Sequence, residues 1–346
     1  MSGKCFIVTG GAGFIGSNVC ASLTERYPSS RVVVIDDFRS GAVANLIAAY
    51  ERRRVGAFTG EVLPGGSHEH DWSKLIGRYR PDVVFHLGAI TDTTVLDESE
   101  MLRVNVGGFG ELLRSSMSAG ARVVYASSAA TYGSPDAGDQ RRPFTEDLAG
   151  RPNNVYGFSK WLMEAEHSRV SDEIGADAPI VGLRYFNVFG PGESTKGKMA
   201  SMARQLALQL LGGNRPRLFT PGDQARDQVH VDDVVGCTLA AGGIGGAAVP
   251  TPGVYNCGSG AATSFNAVAD AVREGLGMTG AEHQTEFFEM PETIAKFYQA
   301  FTQADLSRTT AALGWAPAIE PAEGVRSYAA LLGESWRERG EIGAGL

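Results

Sequence analysis

Hydrophobic and polar positions alternate along this chain in blocks. Lys4 to Thr9, Arg31 to Ile35, Pro81 to Leu87 and Ala121 to Ala126 are short β-branched apolar runs, the pattern of strands buried on both faces. Between them, Phe14 to Tyr27, Val43 to Arg53, Asp71 to Tyr79 and Asn105 to Ala119 carry apolar residues at helical spacing. A longer helix is predicted over Asn153 to Glu173, followed by a strand over Ile180 to Tyr185. Strand and helix in alternation predict an α/β fold, a doubly wound parallel sheet covered by helices on both faces. Beyond Phe189 the pattern loosens into Gly-Pro loops. Helices are expected near Met199 to Leu211, Ser264 to Leu276 and Glu323 to Leu332, with a short strand at Arg217 to Thr220. They predict a smaller lobe built onto the first half and closing over it.

Composition narrows the classes. With 346 residues, 43% of them hydrophobic and 20% charged, the chain can bury a core in each of about two lobes. Its 39 acidic and 31 basic residues give a charge of -8, which argues against nucleic acid as the main partner. An anionic ligand must then be held by local donors. The longest weakly polar stretch, near Leu239 to Val249, is mostly Gly and Ala and too short to span a bilayer. No export signal is visible, so a cytoplasmic protein is expected. Cys5, Cys20, Cys237 and Cys257 lie far apart and predict buried thiols, with neither a zinc site nor a disulfide framework.

The first candidate chemistry follows the first strand. Thr9-Gly10-Gly11-Ala12-Gly13-Phe14-Ile15-Gly16 opens the first helix, where glycines permit a tight turn and close approach to a pyrophosphate while helix N–H groups meet the phosphates. Asp36 lies about 20 residues further on, at the end of the second strand, where a carboxylate accepts from the adenosine ribose hydroxyls. A nicotinamide dinucleotide is the expected cofactor, tightly bound. Asp36 and Asp37 would repel a 2′-phosphate and favour NAD, whereas Arg39 is near enough in sequence to pair with that phosphate in NADP. Leu87, Gly88 and Ala89 are expected cofactor neighbours. Asn105, at a predicted helix start, is another, although a helix cap would equally explain it.

Tyr156 and Lys160 stand four apart on one face of the predicted helix. A nearby ammonium lowers a phenol's pKa and would fit it to act as a base near neutrality. Ser127-Ser128 sits just past the strand ending at Ala126, where a hydroxyl can bond a substrate alcohol. The loop Glu61 to Asp71, with Pro64-Gly65-Gly66, has no evident role; its His68 and His70 read as exposed residues, since no companion metal ligands accompany them.

Taken together, Thr9 to Gly16, Tyr156-x-x-x-Lys160 and Tyr125-Ala-Ser-Ser-Ala-Ala-Thr-Tyr-Gly133 resemble the extended short-chain dehydrogenase/reductase superfamily, many of whose members act on nucleotide sugars. Four further segments resemble, within it, the ADP-L-glycero-D-manno-heptose 6-epimerase family: Arg184-Tyr-Phe-Asn-Val-Phe-Gly-Pro191, Lys196-Gly-Lys-Met-Ala-Ser201, Arg226-Asp227 and Tyr298-Gln-Ala-Phe-Thr-Gln-Ala-Asp-Leu306. The resemblance implies a Rossmann domain of residues 1–186 with 227–257, and a substrate-binding lobe of residues 187–226 with 258–346. It implies oxidation of a sugar carbon to a ketone and re-reduction on the other face. Tyr156 would serve one face and Lys196 the other, with Ser128 and Lys160 supporting the tyrosine; burial beside the cofactor, or the nearby charge of Lys198, would lower the pKa of Lys196. Val188 is expected near the cofactor. Asn187, Lys198, Gln205, Phe219, Arg226 and Tyr298 are expected around a nucleotide-diphosphate sugar, Arg226 on the diphosphate unless Asp227 pairs with it. A homo-oligomer is implied as well.

The sequence departs from that family at Lys198, Gln205 and Gly192, where a small hydroxyl residue, a histidine and an arginine are usual. Asp37 and Val43 replace the polar and basic residues associated there with NADP. The reaction class therefore carries over, while a hexose 4-epimerase or a reductase of another nucleotide sugar remains an alternative. A dehydratase is disfavoured by Ala129-Ala130, and a non-catalytic sensor would have no need of Tyr156, Lys160 and Ser128.

Overall fold

A computed structural model of the chain describes residues 3–95, 97–134, 141–245, 249–292 and 298–340. Part of the weakly polar stretch, residues 246–248, lies outside them. The strands are β1 (Cys5–Thr9), β2 (Arg31–Asp36), β3 (Glu61–Pro64), β4 (Val83–His86), β5 (Arg122–Ser128), β6 (Ile180–Tyr185), β7 (Asn187–Phe189), β8 (Arg217–Phe219), β9 (Ala225–His230), β10 (Gly253–Cys257), β11 (Ala262–Ser264) and β12 (Glu286–Phe288). The helices are α1 (Phe14–Arg26), α2 (Val43–Arg53), α3 (Trp72–Tyr79), α4 (Glu98–Asn105), α5 (Phe109–Ser118), α6 (Val155–Ile174), α7 (Met202–Leu211), α8 (Val231–Ala241), α9 (Phe265–Leu276), α10 (Ser307–Leu313) and α11 (Pro321–Arg339).

Seven strands form one sheet in the order β10-β6-β5-β4-β1-β2-β3, and every pairing in it is parallel. Parallel strands need crossovers, and helices supply them on both faces. On one face Val8, Val34 and Phe85 pack with Val19, Leu23, Leu46 and Val234 of α1, α2 and α8. On the other, Ile7, Val33 and Val123 pack with Trp72, Ile76, Leu112 and Met163 of α3, α5 and α6. Each such fully buried Val or Leu contributes about 1.5 to 3 kcal/mol over an exposed one. The expected doubly wound sheet is therefore present. A third cluster joins Phe189 and Leu218 to Leu206, Leu210, Phe265, Val268, Val325, Tyr328 and Leu332, drawing α7, α9 and α11 together beside the sheet.

Two readings change. The segment Glu61 to Asp71 is not simply a loop: Glu61–Pro64 pairs with β2 as the edge strand, and a 3-10 turn follows at Ser67–Glu69. The helix expected over Asn105 to Ala119 begins only at Phe109, as α5; Asn105 instead closes α4, a helix outside the expected range, and Gly108 with φ +73° parts the two. Among the described residues, no helix is long and apolar enough to cross a membrane.

Candidate active site

The glycine loop turns at the carboxyl end of β1. Gly10 has φ +64°, and a Cβ there would stand 2.7 Å from the Gly88 backbone; a Cβ on Gly16 would collide with the Gly10 carbonyl. No side chain caps α1 at Gly13, so the first-turn N–H groups stay free for an anion. The groove in front is lined by Gly10, Gly13, Phe14, Ile15, Gly16, Asp36, Asp37, Leu87, Gly88 and Ala89. Gly11 lies behind it, with its α-carbon facing the Val34 side chain.

Asp36 is buried; its Oδ2 accepts from Ala12 N–H at 2.9 Å and its Oδ1 from Phe38 N–H at 2.8 Å, and loss of water pushes its carboxyl pKa up. Thr9, which opens the glycine motif, has a role the sequence does not show: its Oγ1 accepts from Leu87 and Gly88 N–H at 3.1 and 3.0 Å and bonds His86 Nδ1 at 2.9 Å, tying β1 to the groove wall. Asn105 ends α4 rather than starting a helix. It bonds Ile90 N–H and C=O and Ser159 Oγ, bracing the groove from outside its lining.

Ser128 ends β5 and Tyr156 lies in the first turn of α6, which Asn154 caps by accepting from Gly157 N–H at 2.8 Å. Ser128 hydrogen-bonds the phenol. Lys160, one turn on, is only 2% exposed, and its Nζ donates to the Ala126 carbonyl at 2.8 Å. The sequence suggests that this ammonium lowers the phenol's pKa. Instead burial raises Tyr156 and pulls Lys160 down to about 7, since Nζ stands 6.0 Å from the ring centre and each group has lost its water.

Lys196 sits on a 3-10 segment, Ser194–Met199, hung from the fully buried Glu193. Glu193 accepts from Ser201 N–H and Oγ, both at 2.6 Å, and Ser201 in turn caps α7. Lys196 Nζ lies 5.4 Å from the Phe14 ring centre, and burial lowers its pKa while Glu193 opposes. Lys198 takes no part in that shift. It faces away into an ion pair with Asp92 at 3.1 Å and a bond to Thr94 Oγ1 at 2.7 Å.

Beyond the groove opens a cavity of about 530 Å³ that Ser128, Tyr156, Lys160, Lys196 and Arg226 all line; Lys196 lines groove and cavity alike. Asn187, Val188, Lys198, Gln205, Phe219 and Tyr298 complete the wall expected for a substrate, so Val188 falls here and not in the groove. Gln205 Nε2 is already donating to Ala200 C=O at 2.7 Å. Arg226 lies 5.2 Å over the Tyr298 ring with its buried Nη1 unpartnered, and burial pushes its pKa down to about 10. Asp227 does not pair with it, because its carboxylate is consumed by Ser259, Gly260 and Ala304 N–H. The His68 side chain, expected to be exposed, is 8% exposed and bonds Arg103 at 2.6 Å through Nε2. Among the described residues no cluster could hold a metal ion.

The fold and this pair of connected pockets define a dinucleotide-binding enzyme scaffold. A model of the NAD dependent epimerase/dehydratase family matches residues 6–258, and the chain belongs to that family, of the extended short-chain dehydrogenase/reductase type. Among solved structures, it is similar to the ADP-L-glycero-D-manno-heptose-6-epimerase of Helicobacter pylori, 32% identical over 94% of this chain and 95% of that one, with a TM-score of 0.79. It is similar to the UDP-glucose 4-epimerase of Thermotoga maritima, solved with UDP-glucose, at 25% identity over 98% and 100%, TM-score 0.79. A third likeness is MoeE5 in complex with UDP-glucuronic acid and NAD, 26% identical over 97% and 100%, TM-score 0.74.

Proposed function

We propose that the protein is a nucleotide-sugar epimerase that inverts a carbinol carbon through a transient ketone, most akin to the heptose 6-epimerases. The observation that carries this reading is the position of Lys196, which lines both the dinucleotide groove and the cavity that holds Tyr156 and Ser128. The groove fits a nicotinamide dinucleotide: Gly10 and Gly16 leave no room for a Cβ, α1 is uncapped, and Asp36 stands at the ribose end. Gly10, Gly13, the first turn of α1 and Asp36 would hold it, and a bound nicotinamide supplies the hydride acceptor and then the donor.

This chain's own residues move the protons. Tyr156, bonded to Ser128, takes the hydroxyl proton as the carbinol becomes a ketone, acting as the phenolate, a form that burial disfavours and that the positive charge of a bound nicotinamide would favour. After the ketone turns over, Lys196 gives a proton to the new alkoxide on the opposite face, and both residues reset through solvent. Lys160 holds the start of α6 against the Ala126 carbonyl. Arg226, with a free fork and an aromatic neighbour, binds the diphosphate. The Rossmann domain would comprise residues 1–186 with 227–257, and the sugar-binding lobe residues 187–226 with 258–346.

A UDP-hexose 4-epimerase is the second reading, favoured by Lys198 and Gln205 in the cavity wall and by the likeness to the Thermotoga enzyme. Proton NMR of ADP-, GDP-, CDP-, UDP- and dTDP-sugars incubated with the protein separates the two. Inversion of an ADP-heptose alone is the expected result; inversion of a UDP-hexose alone supports the second reading, and no inversion of any sugar contradicts both.

A further inference from the structure

The rim of the dinucleotide groove carries a charge arrangement that the proposed reaction does not use. Arg39 lines the groove beside Asp36 and Asp37, where the adenosine ribose of a dinucleotide would lie. An arginine at that place ordinarily offers its fork to a 2′-phosphate. Here the fork is taken: Nη1 donates to Glu100 at 2.7 Å and Nε stands 3.5 Å from Asp37 Oδ2. Asp37 also accepts the Arg39 backbone N–H at 3.0 Å, which fixes the turn that presents the guanidinium. Glu100 reaches it from the first turn of α4, an element on the other side of the groove, and Asp97 caps that helix by accepting from Glu100 N–H.

The neighbouring cations are engaged too. Arg103 Nη2 stands 4.0 Å from Glu100, while Nη1 faces His68. Asp36 commits both oxygens to backbone donors at the same rim. Two carboxylates therefore engage one guanidinium, with Asp36 beside them along the rim, where a further dianion would have to enter.

Resting on the reading of this groove as a nicotinamide-dinucleotide site, we propose that Glu100 and Asp37 are cofactor-specificity determinants. They saturate Arg39 and so select the dinucleotide with a free 2′-hydroxyl over its 2′-phosphate. Arg39 is then a latent phosphate receptor, kept silent by a residue some sixty positions away in the chain. Neither carboxylate touches the reacting carbon, so their effect is on which dinucleotide is held and not on the chemistry of the sugar.

The test exchanges the purified protein against an excess of equimolar NAD⁺ and NADP⁺, removes free nucleotide, and quantifies what is retained by chromatography. The wild type is expected to retain NAD over NADP by about tenfold or more, the scale of one charge-assisted pair. Glu100→Gln should narrow that ratio by about tenfold, and Asp37→Asn should move it in the same direction. Arg39→Ala in the Glu100→Gln background should return the ratio to NAD, which a general loosening of the loop would not do. A wild type that prefers NADP, or a Glu100→Gln ratio equal to the wild type's, overturns the proposal while leaving the epimerase reading intact. Retention of neither dinucleotide by any variant overturns the groove reading itself, and the proposal with it.

Discussion

With its ammonium inside the molecule and the Ala126 carbonyl as its oxygen partner, Lys160 carries a charge that water no longer stabilises. Its pKa falls from 10.5 to about 7, so the unfolded chain binds the proton more tightly than the folded one. Stability from this residue is therefore lowest below pH about 7 and rises as pH climbs from there toward 10.5. Lys160→Met removes this pH dependence, so urea midpoints at pH 6.5 and pH 9 should show the wild type gaining on the variant at the higher pH; parallel shifts in both proteins would contradict the buried ammonium. Arg226 makes a second residue-scale prediction. An unpartnered guanidinium over Tyr298 is a ground-state binder, so Arg226→Ala should raise KM by about tenfold or more with a smaller fall in kcat. An unchanged KM would remove it from the diphosphate. The residue types at these positions were legible in the sequence, but the sign of the Tyr156 shift was not, because burial is a property of the folded surroundings and outweighs a charge 6.0 Å away.

Elements were legible where one periodicity ran uninterrupted. β1, β2 and β5 are wholly or almost wholly buried, so polar residues stand only at their ends and leave the apolar runs unblurred. β3 escaped because it is an edge strand of four half-exposed residues that starts with Glu61 and ends with Pro64. α4 escaped because Met101, Leu102 and Val104 are its only apolar residues, and the start of α5 was set too early because only the left-handed φ of Gly108 marks it. The segment Ser194–Met199 is shaped by Glu193, whose role depends on Ser201 eight residues later and on burial. Ser201→Ala removes both the N-cap of α7 and a partner of that buried carboxylate, and should cost about 1 to 3 kcal/mol in urea unfolding. A loss within experimental error would show that the anchor is dispensable.

At the scale of the molecule, the arrangement resolves a contradiction in the composition. A chain of charge -8 is poorly suited to anions, yet the proposed ligands are two pyrophosphates. The fold answers locally, with uncapped helix N–H groups for one and Arg226 in a sheltered cavity for the other. The parallel, helix-covered character of the sheet followed from the alternating pattern, but its strand order did not, since neither β3 nor β10 stands out in the sequence. The meeting of Lys196 with Tyr156 around one cavity did not follow from spacing: the two lie on separate elements, and only the family resemblance pointed to it.

A two-face mechanism depends on that meeting, and Lys196→Met is its sharpest probe. The variant is assayed for epimerisation and, in parallel, for dismutation of an aldehyde analogue of the sugar, which needs hydride transfer on one face only. Bound dinucleotide is checked by absorbance beforehand, and Tyr156→Phe, expected to be slower by about 10² to 10⁴ in both assays, serves as the comparator. Lys196→Met should lose inversion while keeping dismutation and its dinucleotide. Inversion at the wild-type rate in that variant would contradict a second proton donor at Lys196.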